Sequence, residues 1–405
     1  MSESDAATRV PLGDLDPCGS RQAGRRSGVT LTDAGPVVGL ADGGVRAFEE
    51  TGAERWAVEG SGSAITLVPF ADGVLVGERS ARGGIRFIRD GKERWRHDAA
   101  DVIGGPTKET RFFLPMVVDS VVADETAYVA VRRYERRSDT ASDGDGSERH
   151  FESAVYAIAP DGTVRWRYDA DASPISLAAL EEGVAVAYNR CPGEHDDGLV
   201  VLSEGGEKRW AWDADRTATR RVGDVAAADD GLVVTSHADY HGYRVVDGET
   251  EWRVPLGAQR ETGDSVYTYP NHVHASDEGV VFLTGNSFPE EGRETDERHP
   301  NEQSAFGYSL SGTEQWRAEV GGFSHEIATD GDRLLVPVAQ HFRDRDPSVH
   351  GWQLFDIEDG LVAEADADGV LTAAAVDSDR RVLVEEPVRY HDDGTVRGRY
   401  ALRFA

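Results

Sequence analysis

The sequence predicts an all-β protein, an eight-bladed β-propeller, with seven blades as the alternative. Three observations carry this prediction: a Gly-to-Trp spacing that recurs, short apolar runs separated by turn residues, and no helical periodicity between them. A Gly four residues ahead of a Trp occurs in GAERW ending at Trp56, GKERW at Trp95, GTVRW at Trp166, GEKRW at Trp210, GETEW at Trp252 and GTEQW at Trp316. With 45 Gly and 8 Trp in 405 residues, chance places a Trp at that offset about once. Six occurrences therefore mark an internal repeat.

Each repeat reads as a four-stranded meander, with strands A to D running outward from the ring axis. In unit two these are SAITLVPF, GVLVGE, GIRFIRD and KERWRHD, with turns at Ala71-Asp72-Gly73 and Asp90-Gly91. Unit one gives VTLTD, GPVVGL, GVRAFEE and ERWAV, and units three to six follow the same order. Unit seven keeps SHEIATD, RLLVPVAQ, GWQLFDI and LVAEADA but has Glu364 where the Trp belongs. In unit eight RVLVEEPVRY resembles a B strand and GRYALRFA a C strand, so the chain is expected to end on strand C. DGTVRG at Gly394 and Gly398, which matches DGTVRW at Trp166 until its last letter, is then not an outer strand. The missing outer strand is assigned to Thr8–Leu12, which closes the ring and removes free sheet edges. Residues 29–405 form one propeller domain, and residues 1–28 an N-terminal segment expected to be partly disordered. The six repeated tryptophans are expected to fill the spaces between neighbouring blades.

Formal net charge is −31, from 74 acidic and 43 basic residues, and the only lysines are Lys92, Lys108 and Lys208. This acid-rich, lysine-poor balance resembles proteins of halophilic archaea, whose carboxylate surfaces stay hydrated where salt screens charge. Such a field repels phosphates, so no nucleic-acid partner is expected. The pairs at Arg25-Arg26, Arg132, Arg220 and Arg380 read as too scattered to form a basic patch. Cys18 and Cys191 exclude a disulfide framework and a four-Cys metal site. No apolar run reaches membrane-spanning length. A soluble, cytoplasmic monomer is expected.

Apolar run, turn, apolar run, then (D/S/T/G)-G-x-x-x-W resembles the pyrroloquinoline-quinone-like repeat. Quinoprotein alcohol dehydrogenases and the propeller lipoprotein of the bacterial outer-membrane barrel-assembly machinery share it. The resemblance runs from about Val29 to Ala405. For the enzymes it implies two adjacent cysteines against the quinone, a tryptophan platform, and a calcium held by Glu, Asn and Asp. This sequence has no Cys-Cys pair. It resembles the non-enzymatic, scaffolding members, and no quinone cofactor is expected.

The connections B–C and D–A share one face and include the long segments RRYERRSDTASDGDGSERH, PLGAQRETGDSVYTYPN and NSFPEEGRETDERHPNEQS. Long, variable loops on a rigid scaffold mark a binding face. Histidines gather in units five to seven. His272 and His274, two apart on a strand, share a side and can hold a transition metal. No accompanying carboxylate or Cys spacing completes such a site, so hydrogen bonds to loop carbonyls are expected and no metal is assigned. The ligand-binding candidates are His237 and His341 at B-strand ends, Tyr267, Tyr269, Asn271 and His272 leading into strand A of unit six, and His325 beginning strand A of unit seven. The expected function is a non-catalytic binding or scaffolding propeller for a protein or small ligand. The alternative is a diverged quinoprotein-like oxidoreductase, or a metal-dependent enzyme using the histidines of units five to seven.

Overall fold

The computed structural model describes residues 8–20, 24–138, 147–258, 266–290, 296–339 and 345–405. The chain is nearly all-β, arranged as a β-propeller of four-stranded antiparallel meanders. Successive meanders occupy residues 28–58, 63–98, 116–170, 173–212, 222–255, 266–319 and 328–366. A further sheet orders Val370–Val376, Arg381–Glu386, Ala401–Phe404 and Arg9–Pro11, and the last strand pairs antiparallel with Ala401–Phe404. The meanders of units two and three also touch through a single register pair, Met116 opposite Arg79. The innermost strands follow one another around a channel, and Val370–Val376 returns against Gly28–Thr32.

Burial explains the apolar pattern. In unit four, strands Gly183–Arg190 and Leu199–Ser203 are buried at every position except their last. Neighbouring sheets cover both of their faces, so they read as continuous apolar runs. The outer strand Val164–Ala170 alternates between exposed and half-buried residues, because solvent lies on one side of it.

The recurring Gly and Trp meet across sheets. A β-carbon placed on Gly162 would lie 2.7 Å from the Trp95 ring. Gly91 faces Trp56 in the same way, Gly206 faces Trp166, Gly248 faces Trp210, Gly312 faces Trp252 and Gly360 faces Trp316. Each Gly belongs to the unit after its Trp. It turns the chain at positive φ, 89° at Gly162, and its missing side chain leaves room for the indole. The indole N–H then donates to a turn carbonyl of that next unit: Trp95 to Pro160 at 2.9 Å, Trp166 to Glu204 at 2.6 Å, Trp252 to Leu310 at 2.8 Å and Trp316 to Ile357 at 2.7 Å.

Unit seven departs from the expected position. Strand register sets Trp166 opposite Ala157, and the equivalent pair in unit seven is Ala363 opposite Leu354. Ala363, not Glu364, stands where the Trp belongs, because Gly360 comes one residue later in its turn than Gly162 does. Trp352, on the third strand of unit seven, fills the space instead, packing with Leu371, Ala374 and Leu383 beneath the Arg381 guanidinium. At the last seam Val10 takes the indole's place, and a β-carbon on Gly52 would lie 2.6 Å from it.

The remaining N-terminal residues are ordered by pairing. Cys18–Gly19 runs parallel to Val388–Arg389, whose other neighbour is Val396–Arg397, so the Gly394 turn belongs to this small separate sheet. The expectation of partial disorder also covers residues 1–7 and 21–23, which lie outside the described residues.

The joint yields a direct test by denaturant unfolding. Trp95→Ala is expected to cost about 2–4 kcal/mol and Gly162→Ala about 1–3 kcal/mol. The double variant should cost clearly less than the sum, because the two positions share one contact. Additive costs would show that the contact is not what these residues contribute.

Candidate functional site

Neighbouring strands in each four-stranded meander are antiparallel, so the ends of second strands and the starts of first strands reach one face of the ring. That face opens on a cavity of about 1050 Å³ at the channel mouth. The second strands of units two, three and six, and the residue after that of unit five, place Arg79, Arg132, Asn286 and His237 there. Arg79 ends its strand opposite Ser63, Arg132 lies opposite Met116, and Arg190 opposite Ser173. His237 directly follows Ser236, which pairs with Val222, and Arg220 stands two residues ahead of Val222.

Five arginines, Arg25, Arg79, Arg111, Arg132 and Arg220, line the cavity, against three carboxylates, Asp119, Asp224 and Glu326. The carboxylates are engaged in stitching sheets together. Asp119 accepts the Leu177 N–H at 2.8 Å, Asp224 that of Val273 at 3.0 Å and Glu326 that of Ala374 at 3.0 Å, each on a following sheet. Glu326 also pairs with Arg25. Arg79 donates to the Arg25 carbonyl at 2.8 Å, Arg132 donates to Ser173 Oγ, and Arg220 lies 4.8 Å over the Tyr269 ring. Among the described residues no carboxylate pairs with Arg79, Arg132, Arg190 or Arg220. Burial, reinforced by Arg111 and Arg25, pushes Arg79 down to about 10, and burial with Arg220 and Arg149 does the same to Arg190. Both remain charged at neutral pH.

Of the sequence candidates, His237, Tyr269, Asn271, His272 and His325 line this cavity. Tyr267 does not. It stacks on Tyr240 at 4.4 Å and on Phe288 at 6.0 Å, behind the wall. Tyr267 and Tyr269 lie within strand Val266–Ala275 rather than in a loop ahead of it, and His325 lies in the segment before Ala328–Asp330. His341 lies outside the described residues.

His237 is a buried brace. Asn189 Nδ2 donates to its Nδ1 at 2.9 Å, which leaves Nε2–H to donate to the Pro270 carbonyl at 3.1 Å. His272 Nε2 donates to the Ser324 carbonyl at 3.3 Å and His274 Nε2 to that of Gly331 at 2.8 Å, so the two rings serve separate backbone groups. Among the described residues no group of three or more His, Cys, Asp or Glu is placed to hold a metal ion. His325 sits 5.0 Å from the Phe323 ring and has no hydrogen-bond partner among the described residues.

The arginines correct the sequence reading. Arg25, Arg132 and Arg220 are far apart in the chain yet share this cavity, whereas Arg26 pairs with Glu386 and Arg380 with Asp377 and Glu50. The one signal for them in sequence is position, since each stands at a strand end or just ahead of an inner strand.

The fold and this cavity can now be set beside known proteins. Residues 149–287 match the family model described as outer membrane protein assembly factor BamB. A quinohemoprotein alcohol dehydrogenase from Comamonas testosteroni is similar in structure with a TM-score of 0.57 at 10% identity, covering 96% of this chain and 78% of that one. A second, from Pseudomonas putida HK5, gives 0.55 at 10%, covering 96% and 77%. The computationally designed Ika8 protein gives 0.53 at 13%, covering 93% and 97%. At these identities the likeness is one of fold. No curated protein sequence matches the chain.

Burial, with Arg220, His272 and Arg190 nearby, pulls His237 from 6.5 to about 3. Burial, with Arg25 and Arg111, pulls His325 from 6.5 to about 4. Both folded values lie below the unfolded one, so as pH falls the unfolded chain takes up protons that the folded chain refuses, and stability drops. Between about pH 6.5 and 5, above the carboxylate range, each such histidine should cost about 2 kcal/mol. His237→Gln keeps a donor and an acceptor and should remove its share of that slope in denaturant titrations. An unchanged slope would contradict the assignment.

Proposed function

We propose that this chain is a binding propeller of eight blades, closed by its N-terminal strand, that takes a ligand at the channel mouth and performs no chemistry on it. The observation that carries the reading is the cavity itself: open, lined by Arg79, Arg132 and Arg220 without carboxylate partners among the described residues and by Tyr269, Asn271 and His325, with its carboxylates held in backbone hydrogen bonds. Residues used in that way are poor candidates for general acid–base catalysis. The pairing of Arg9–Pro11 with Ala401–Phe404 supports closure of the ring and the count of eight, with residues 29–405 as one domain.

Quinone chemistry fits the lining poorly. Among the described residues no Trp lines the cavity, and the repeated tryptophans sit on outer strands between sheets. Cys18 lies by the Pro387 carbonyl and Cys191 by that of Asp197, in different units, and burial raises both thiols. The described helices include none long and apolar enough to cross a membrane. Solubility in a salt-rich cytosol, a single-chain state and a non-nucleic-acid partner accord with the acid-rich composition and remain part of the proposal.

The test has two readouts. Protein incubated with quinone and calcium should oxidise no alcohol with an artificial electron acceptor. Protein passed through cell extract and desalted should release, on heating, at least one species by mass spectrometry that a Tyr269→Ala, Asn271→Ala variant does not retain. Alcohol oxidation would contradict the reading, as would identical retention by both proteins.

A further inference from the structure

Buried arginines elsewhere in this protein come with carboxylates. Arg86 pairs with Glu78 and Glu93, Arg133 with Glu135, Arg221 with Asp213 and Asp196, Arg244 with Asp230 and Glu251, and Arg403 with Glu385. All five are 8% exposed or less. An unpaired guanidinium taken from water is unfavourable, and pairing is the ordinary remedy. A chain with 74 acidic residues has carboxylates to spare.

At the channel mouth, where the arginines are half-buried, the remedy is absent. Arg79, Arg132 and Arg220 face a shared cavity and have no carboxylate partner among the described residues, and Arg190 stands beside Arg220 in the same condition. The carboxylates that do reach the cavity each accept a backbone N–H from the next sheet, and the arginine that Glu326 also reaches is Arg25, not Arg79, Arg132 or Arg220. Positive charge concentrated in a concave site, inside a strongly negative protein, calls for an anion from outside. Guanidinium groups match oxyanions through paired N–H donors. Tyr269, Phe288 and Phe323 border the same space and offer apolar surface to an organic body.

We propose that the channel mouth binds a small organic oxyanion of charge two or more, a phosphate ester or a polycarboxylate, held by Arg79, Arg132 and Arg220. This rests on the binding reading above and names the ligand's chemistry. The acidic exterior keeps long polyanions away, while a small anion enters the channel and leaves that exterior behind.

Isothermal titration at fixed chloride, with inorganic phosphate and with citrate as probes, tests it on the full chain. Binding of either probe supports the proposal, phosphate alone indicating the ester and citrate alone the carboxylate. Arg132→Gln with Arg220→Gln should weaken that binding about tenfold or more, as expected for losing two charge-assisted contacts. Arg209→Gln, which removes a surface pair with Glu182, should not. A second readout separates ligand holding from structure: saturating anion should raise the melting temperature of the parent more than that of the double variant. No heat with either probe overturns the proposal, and so does equal affinity in the double variant or an equal rise in its melting temperature with anion. Should the double variant not fold, Arg79→Gln is titrated in its place, with the same expected loss. Failure here with continued Tyr269-dependent retention from cell extract would refute only the oxyanion and leave the binding reading intact.

Discussion

Everything in this structure depends on one contact, the indole of one sheet laid against the turn glycine of the next. A four-stranded sheet alone cannot cover both of its faces, and burial comes only from stacking neighbours around an axis. The contact fixes where each neighbour sits. It needs a residue without a β-carbon at positive φ, and the N–H bond to a turn carbonyl sets the height of the ring plane. Where the contact is missing, another residue occupies the same space: Trp352 with Arg381 at one seam, Val10 at the other. That substitution makes the N-terminal strand part of the ring's packing as well as of its hydrogen bonding.

The inner edge obeys a different economy of charge. Asp119, Asp224 and Glu326 recur on alternate units and each binds a backbone N–H of the sheet that follows. They hold the innermost strands together where these are closest, in place of some of the apolar contact available further out. So engaged, Asp119 and Asp224 pair with no arginine at that rim among the described residues, and Glu326 pairs with Arg25. The acidic exterior and the basic channel mouth therefore arise together, from acidic residues committed to backbone on the inside and left in solvent on the outside.

Much of this was legible in the sequence because it is local. The Gly-to-Trp offset lies within one hairpin, and the apolar runs record burial of second and third strands on both faces. The misplacement at unit seven has a local cause too: one more residue in the turn before Gly360 shifts the offset from Ala363 to Glu364 without altering the strand register. The channel arginines were not legible, because Arg25, Arg79, Arg132 and Arg220 share no motif and meet only through ring closure. Histidines drew attention by their clustering, yet His237, His272 and His274 serve backbone carbonyls. Sequence proximity alone does not distinguish a brace from a ligand-binding group.

The proposed binding function rests on the channel arginines that the scaffold leaves without carboxylate partners. The inner carboxylates accept backbone N–H groups, and Arg79, Arg132 and Arg220 at the channel mouth have no carboxylate partner among the described residues. Anomalous diffraction from crystals soaked in selenate, an oxyanion with its own X-ray signature, examines this directly. The expected result is a selenium peak within the channel mouth among Arg79, Arg132 and Arg220. Peaks confined to exposed outer arginines, with the channel mouth empty, would contradict the account.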